Sequence, residues 1–282
     1  MSRLWLFGCS HTSPTNTGND VFWGKILADK LNITFEHVEG SPTINDKRMH
    51  AGAIYGDGGS GIDVIMLNAM TKLHLDYIKP EDVVIFNASY STRVHSTMHI
   101  QKPTQDKRWV NWHLSIFEQY FRPNWGLDYK REDLIDMNFK TDRILFAHWY
   151  IRQATTYKML KDTGAEVYQW LLEPKDLIED ILNNIDEKHL DEQILAGQAQ
   201  IYESLFEYLK YSHDGWENLI ECPVIEPPHP TPYSKSVNCW SDVFSEVYPI
   251  HYQKDAHMNT EGHHFFAEYI YKSIMEYRNG NK

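Results

Sequence analysis

The first residues able to do chemistry stand at the very start of the chain. Leu4, Trp5, Leu6 and Phe7 run into Gly8, and Cys9, Ser10 and His11 follow without a gap. An apolar run that only fills a core more often ends in plain turn residues. This one delivers a thiol, a hydroxyl and an imidazole to the carboxyl end of a strand. A second group stands near the other terminus, in HYQKDAHMNTEGHHFFAEYI, 251–270. Asp255 and His257 are two residues apart, just ahead of a helical pattern that Asn259 or Thr260 can cap, with Glu261 in its first turn. A carboxylate that close can fix the tautomer of the imidazole and stabilise the imidazolium, leaving the other ring nitrogen free to act as base. If the two chain ends meet at one edge of a sheet, Ser10, His257 and Asp255 become a nucleophile, a base and its orienter.

The elements between must bring those ends together. Arg3–Phe7 reads as a strand, and 20–31 places Phe22, Ile26, Leu27 and Leu31 on one helical face. Ile33–Val38 reads as a second strand, and YGDGGSG at 55–61 as a glycine-rich loop. Ile62, Ile65, Met66, Ala69, Met70 and Leu73 repeat at threes and fours, which predicts a helix over 62–77. Asp82–Phe86 is a short apolar run, the pattern of a strand buried on both faces. Residues 96–140 read as polar, aromatic and irregular, with a helix at 111–120. Helix is predicted over 141–161, a strand over Ala165–Leu171, further helices over 174–184 and 190–211, and a last helix from Thr260 to Tyr277. The prolines of CPVIEPPHPTP, 222–232, suit neither regular element. Alternating strands and helices predict an α/β layered fold with a mostly parallel sheet, as one domain over 1–282 with an aromatic-rich insertion near 95–140. In such sheets ligands sit outside the carboxyl ends of the strands. The FGCSHT stretch lies at that edge.

Composition narrows the function classes. The 282 residues carry 27 basic and 39 acidic side chains, a formal balance of −12, which disfavours nucleic acid and anionic membrane as partners. Three cysteines, at 9, 222 and 239, are no disulfide framework and suit a reducing cytoplasm. Leu4–Phe7 is too short for a signal segment, and no apolar run approaches the roughly 20 residues of a membrane span. A cytoplasmic location is the expectation. Aromatic residues make up 13% of the chain, and fifteen histidines accompany them; such side chains suit sugar or nucleobase surfaces but also fill cores.

The first and last blocks together resemble the SGNH (GDSL-type) hydrolase superfamily of esterases, lipases, thioesterases and carbohydrate deacetylases. The family's opening strand followed by Gly-Asp-Ser reads here as Gly8-Cys9-Ser10, with Cys9 in the place of the aspartate. Gly-Cys-Ser openings of this kind occur in divergent, often phage-encoded members. The closing Asp-x-x-His, followed by Gly-His and a helix, reads as Asp255-Ala256-His257 and then Gly262-His263, one residue shorter between the pair. The resemblance implies a three-layer flavodoxin-like sandwich, a serine esterase needing no cofactor, and a Ser10–His257–Asp255 triad. It implies an oxyanion hole made by the N–H groups of Ser10 and Gly59, with Gly61 the next choice for the second. A third donor would be Asn87 or Ser89. In VVIFNASYSTR, 83–93, Asn87 falls where the family has glycine and Ser89 where it has asparagine. The implied partner is a small-molecule or carbohydrate ester, and the acidic balance with the aromatic insertion points toward O-acetylated sugar.

Each of these residues also has a structural reading. Ser10 can cap the turn, Gly59 can simply turn the chain, and His257 can be a surface residue at a helix start. His263 and His264 read as structural or exposed, and Arg93 as a salt-bridge partner. Asp57, Asp63 and Asp82 read as loop and cap residues. Trp109, Trp112 and Trp125 either wall a pocket or cover the sheet. Two further functional readings stand beside the esterase. One is a catalytically weak or inactive binding module on the same scaffold, for which Cys9 and the altered third block argue. The other is a metal site from His251, Asp255, His257 and His11, residue types that supply N and O ligands.

Overall fold

A computed structural model describes residues 2–12, 21–35, 54–56, 65–66, 68–70, 72, 76–89, 93–96, 110–113, 142–172, 217–222, 240 and 258–280. Five strands form one sheet: β1 (Leu4–Gly8), β2 (Ile54–Gly56), β3 (Val83–Asn87), β6 (Glu166–Trp170) and β7 (Leu219–Ile220). Every neighbouring pair in it is parallel. The order across the sheet is β2-β1-β3-β6-β7. Taken in chain order these strands run 2-1-3-4-5, the doubly wound flavodoxin-like arrangement, in which the winding reverses between the first and third strands. A separate antiparallel pair joins β4 (Arg93–Ser96) to β5 (Val110–His113).

Helices cover both faces, so the sheet is buried and its strands carry apolar side chains on both sides. Leu4 and Leu6 of β1, with Val83 and Ile85 of β3, face α1 (Trp23–Leu31) and α3 (Thr260–Arg278). There they pack with Trp23, Leu27, Phe266, Ile270 and Ile274. The alternate residues Trp5, Phe7, Val84 and Phe86 face the opposite layer, with Ile65, Ala69 and the aromatic rings of α2 (Asp142–Lys161). This period of two is the pleat of each strand read out as two cores. Burying each large apolar side chain contributes roughly 1.5–3 kcal/mol.

The ends of the strands opposite the glycine are held by a charge. Asp82, fully buried, accepts hydrogen bonds from the Arg3 backbone N–H at 3.0 Å, Arg3 Nε at 3.1 Å and Arg3 Nη2 at 2.7 Å. Trp5 Nε1 at 2.9 Å and the Lys79 N–H at 3.0 Å complete the set. Asp82 is therefore a loop residue that caps the Lys79 turn, as its position suggests, and also an interior anchor between β1 and the approach to β3.

Several expectations change. The stretch Ile33–Val38 contributes a single bridge, Thr34 to Arg3, and residues 36–38 lie outside the described ones. The outer partner of β1 is instead Ile54–Gly56, so Tyr55 and Gly56 belong to a strand rather than to a glycine loop. A three-residue strand is too short for periodicity to announce; pairing with the open edge of β1 makes it. Residues 111–113 are strand, not helix, because they pair with β4. β7 lies in a stretch with no strand expectation and is fixed by pairing to Gln169 and Trp170. Residues 65, 66, 68–70 and 72 are helical, as the 62–77 pattern requires, and α2 and α3 fall within a residue of their expected bounds. The helices expected over 174–184 and 190–211 lie outside the described residues. Among the described residues no helix is long and apolar enough to cross a membrane.

Candidate active site

The winding reversal between β1 and β3 is where a doubly wound sheet opens a crevice at its carboxyl edge. Two of the sequence-derived candidates, Ser10 and Ser89, follow these two strand ends, and a third, Asn87, closes β3. β1 ends at Gly8, Cys9 follows fully buried, and Ser10–Thr12 make one turn of 3-10 helix. The Thr12 N–H donates to the Cys9 carbonyl at 2.9 Å, and Thr12 Oγ1 donates to the same oxygen at 2.5 Å. The turn doubles back so closely that a Cβ on Gly8 would lie 2.6 Å from Thr12 Cγ2 and 3.0 Å from Asn87 Cβ. Glycine at position 8 is thus a packing requirement of the turn that carries Ser10.

At the end of β3, Asn87 is fully buried, and its side-chain amide is engaged at both ends. Nδ2 donates to the Trp170 carbonyl at 3.0 Å. Oδ1 accepts from the Ser89 backbone N–H at 3.0 Å and from Cys9 Sγ at 3.5 Å. Ser89 is buried and left-handed, with φ of +63°. Non-glycine residues hold that conformation at a cost, and such residues concentrate at functional sites. The loop is fixed from the other layer as well, where Trp149 Nε1 donates to the Ala88 carbonyl at 3.1 Å.

The two ends of the chain do approach each other. Asn259 caps α3, its side chain accepting from the Gly262 N–H at 2.8 Å. His263, one residue further on, is buried, and its Nδ1 accepts from the Trp23 backbone N–H at 3.4 Å. Trp23 Nε1 in turn donates to the His11 carbonyl at 3.0 Å. Phe22 packs edge-on to His263, and Trp23 edge-on to Phe266. The start of α3, the start of α1 and the turn after β1 are therefore one packed unit. His263 is a structural histidine, while His264 is exposed.

The other candidates are divided by what the structure describes. Asp255, His257, His251, Gly59 and Gly61 lie outside the described residues, and so do Asp57, Asp63, Trp109 and Trp125. Of the metal-site candidates only His11 is described, and it is buried. Among the described residues no group of three or more His, Cys, Asp or Glu is placed to hold a metal ion. Arg93 opens β4 opposite His113, and Trp112 sits in β5 opposite Val94. Neither Cys9 nor Cys222 is part of a disulfide.

Sequence reasoning missed what Asn87 does. The signal was there: Asn-Ala-Ser is a stretch in which an Asn side chain can accept the N–H two residues on and shape a turn. It also missed the interior pair in which Gln153 of α2 donates to Gln169 of β6. No periodic pattern marks that pair.

No protein-family model matches this sequence, and no curated protein matches it. Among solved structures, the chain is similar to one described as a member of the lipolytic protein G-D-S-L family from Veillonella parvula. The two share 11% identity over 98% of this chain and 97% of the other, with a TM-score of 0.41.

Proposed function

We propose that the protein is a serine esterase of the SGNH kind, which hydrolyses carboxylic esters by acyl transfer through Ser10. The observation that carries this reading is the pair of strand tips at the winding reversal. A serine opens a tight turn after β1, and a left-handed serine follows β3, with Asn87 bonded to the tips of both strands. The packing of α3 against α1 and the His11 turn supports the remainder, since Asp255 and His257 directly precede α3 in sequence.

In this mechanism Ser10 Oγ attacks the ester carbonyl while His257 accepts its proton, and Asp255 holds the imidazole and stabilises its charged form. The oxygen that becomes negative receives the N–H groups of Ser10 and Gly59. Of the two candidates for the third donor, we assign Ser89 through its hydroxyl, its own N–H being held by Asn87 Oδ1, because the Asn87 amide is turned to the interior partners Trp170 and Cys9. Such a donor is worth about 3 kcal/mol. His257 then protonates the leaving alcohol, and water, activated by the same imidazole, releases the acid. The substrate class proposed is a small-molecule or carbohydrate ester, O-acetylated sugar among them.

The test is an ester panel from acetyl to long acyl, run on the wild type and on Ser10→Ala, with a serine-directed fluorophosphonate probe in parallel. Loss of Ser10 should reduce turnover by at least about 10³-fold, as removal of a triad nucleophile does, and should abolish labelling. Equal rates would remove Ser10 from the mechanism. A folded protein that neither turns over ester nor takes the probe would be a binding module instead.

A further inference from the structure

We propose that Asn87 is a positioning residue: its side-chain amide fixes the tips of three neighbouring strands against one another and holds Ser89 in its left-handed turn. Its effect on turnover rests on the esterase reading above; its effect on the backbone does not.

Asn87 is the last residue of β3, paired in register with Trp170 at the end of β6. A buried primary amide has two N–H donors and an acceptor oxygen to satisfy. Asn87 gives one N–H to the carboxyl end of β6, at the Trp170 carbonyl. It spends the oxygen twice, on the Cys9 thiol just past β1 and on the Ser89 N–H in its own loop. One side chain therefore ties β1, β3 and β6 together at the edge where the site is proposed. The bond to Ser89 closes an Asx turn, which supplies locally the compensation that a left-handed serine needs. Neither neighbour can drift far. Even a Cβ on Gly8 would lie only 3.0 Å from Asn87 Cβ, and Ala88 is pinned to Trp149. Ser89 is thus the residue that Asn87 acts through.

The two possible roles of this amide separate under substitution. If Asn87 only positions, aspartate can stand in for it where Ser89 is concerned, since in this buried site it is held protonated, one oxygen accepting the Ser89 N–H and the other donating its O–H to the Trp170 carbonyl. If Asn87 donates to a reacting oxygen, aspartate is at least as harmful as alanine. The experiment is amide hydrogen exchange on the full chain, followed by NMR or mass spectrometry, for wild type, Asn87→Ala and Asn87→Asp. Exchange at Ser89 should quicken by about tenfold or more in Asn87→Ala, the scale of one lost net hydrogen bond. It should stay near the wild-type rate in Asn87→Asp, with Val84–Phe86 protected in both. In ester turnover, Asn87→Ala should lower kcat with KM within about twofold of wild type, and Asn87→Asp should recover part of it. Unchanged Ser89 exchange in Asn87→Ala, or an aspartate variant no better than alanine in both measurements, would overturn the proposal. A wild type without ester turnover would instead sink the esterase reading, and the exchange comparison would still decide the role of Asn87.

Discussion

Replacing Asp82 by asparagine changes one atom type at a fully buried position and should cost far more than that suggests. Every group facing the carboxylate is a donor: two nitrogens of the Arg3 guanidinium, the Arg3 and Lys79 backbone N–H groups, and Trp5 Nε1. In either flip an asparagine amide turns an NH2 toward donors. If it replaces Oδ1, Arg3 N and Nε lose their acceptor. If it replaces Oδ2, Trp5 Nε1 and Lys79 N lose theirs, and Arg3 Nη2 keeps its bond to the Tyr77 carbonyl but loses the one to Asp82. The guanidinium, whose side chain is only 14% exposed, also loses its counter-charge. Breaking a buried pair on one side costs about 3–5 kcal/mol. Asp82→Ala removes both acceptor oxygens at once, so it should cost at least as much as the asparagine variant. A loss of that size lowers the melting temperature by roughly 10 °C in a chain of this length. Urea unfolding followed by circular dichroism measures it, with thermal melts as a second reading. Because Asp82 precedes β3 and the proposed site follows it, KM for ester at low temperature should not move. A loss below about 1 kcal/mol for both variants, or an asparagine variant close to wild type while alanine is crippled, would refute the donor-ring argument.

Two further outcomes follow from particular contacts. Gly8→Ala places a methyl group 2.6 Å from Thr12 Cγ2, so the turn carrying Ser10 must shift. Stability should fall by about 1–3 kcal/mol, and fluorophosphonate labelling should slow by about 10²-fold; labelling at the wild-type rate would show that the turn does not set the nucleophile. Burial alone would raise the pKa of Glu166, yet the Arg278 fork and the Tyr168 hydroxyl outweigh it and hold the carboxyl below its ordinary 4.5. The stability this contributes is present above 4.5 and is lost as pH falls through the lower folded value. With both side chains about one-third exposed, Arg278→Gln should cost about 0.5–1 kcal/mol at neutral pH. The gap to wild type should close in acid, and urea unfolding on both sides of that window would expose a gap that stays constant.

Much of the fold was legible because burial leaves a periodic trace. The all-apolar run at 83–86 had to lie inside a parallel sheet, and the threes and fours of Phe266, Ile270 and Ile274 had to lie along one helix. The carboxyl edge of β1 was legible for the same reason, since a buried strand running into Gly8-Cys9-Ser10 announces its own end. What escaped were short or non-periodic features. β2 and β7 are two or three residues long and exist through their neighbours' unsatisfied backbone groups. Asp82 looked like a turn residue because charge at a strand start is ordinary, and only the converging donors reveal it as interior. The interior bonds of Asn87 escaped because its partners across the sheet are remote in sequence.

The sequence alone determined the layered α/β class, the strand that carries Ser10 and a helix cap at Asn259 or Thr260, because these depend on local pattern and local hydrogen bonding. Only the tertiary structure decided the order in which the strands lie, which partner the Asn87 amide takes, and that the turn after β1 meets the start of α3. Those depend on contacts between residues about fifty to more than two hundred positions apart. No local pattern encodes such contacts, because each is chosen only when the whole sheet closes.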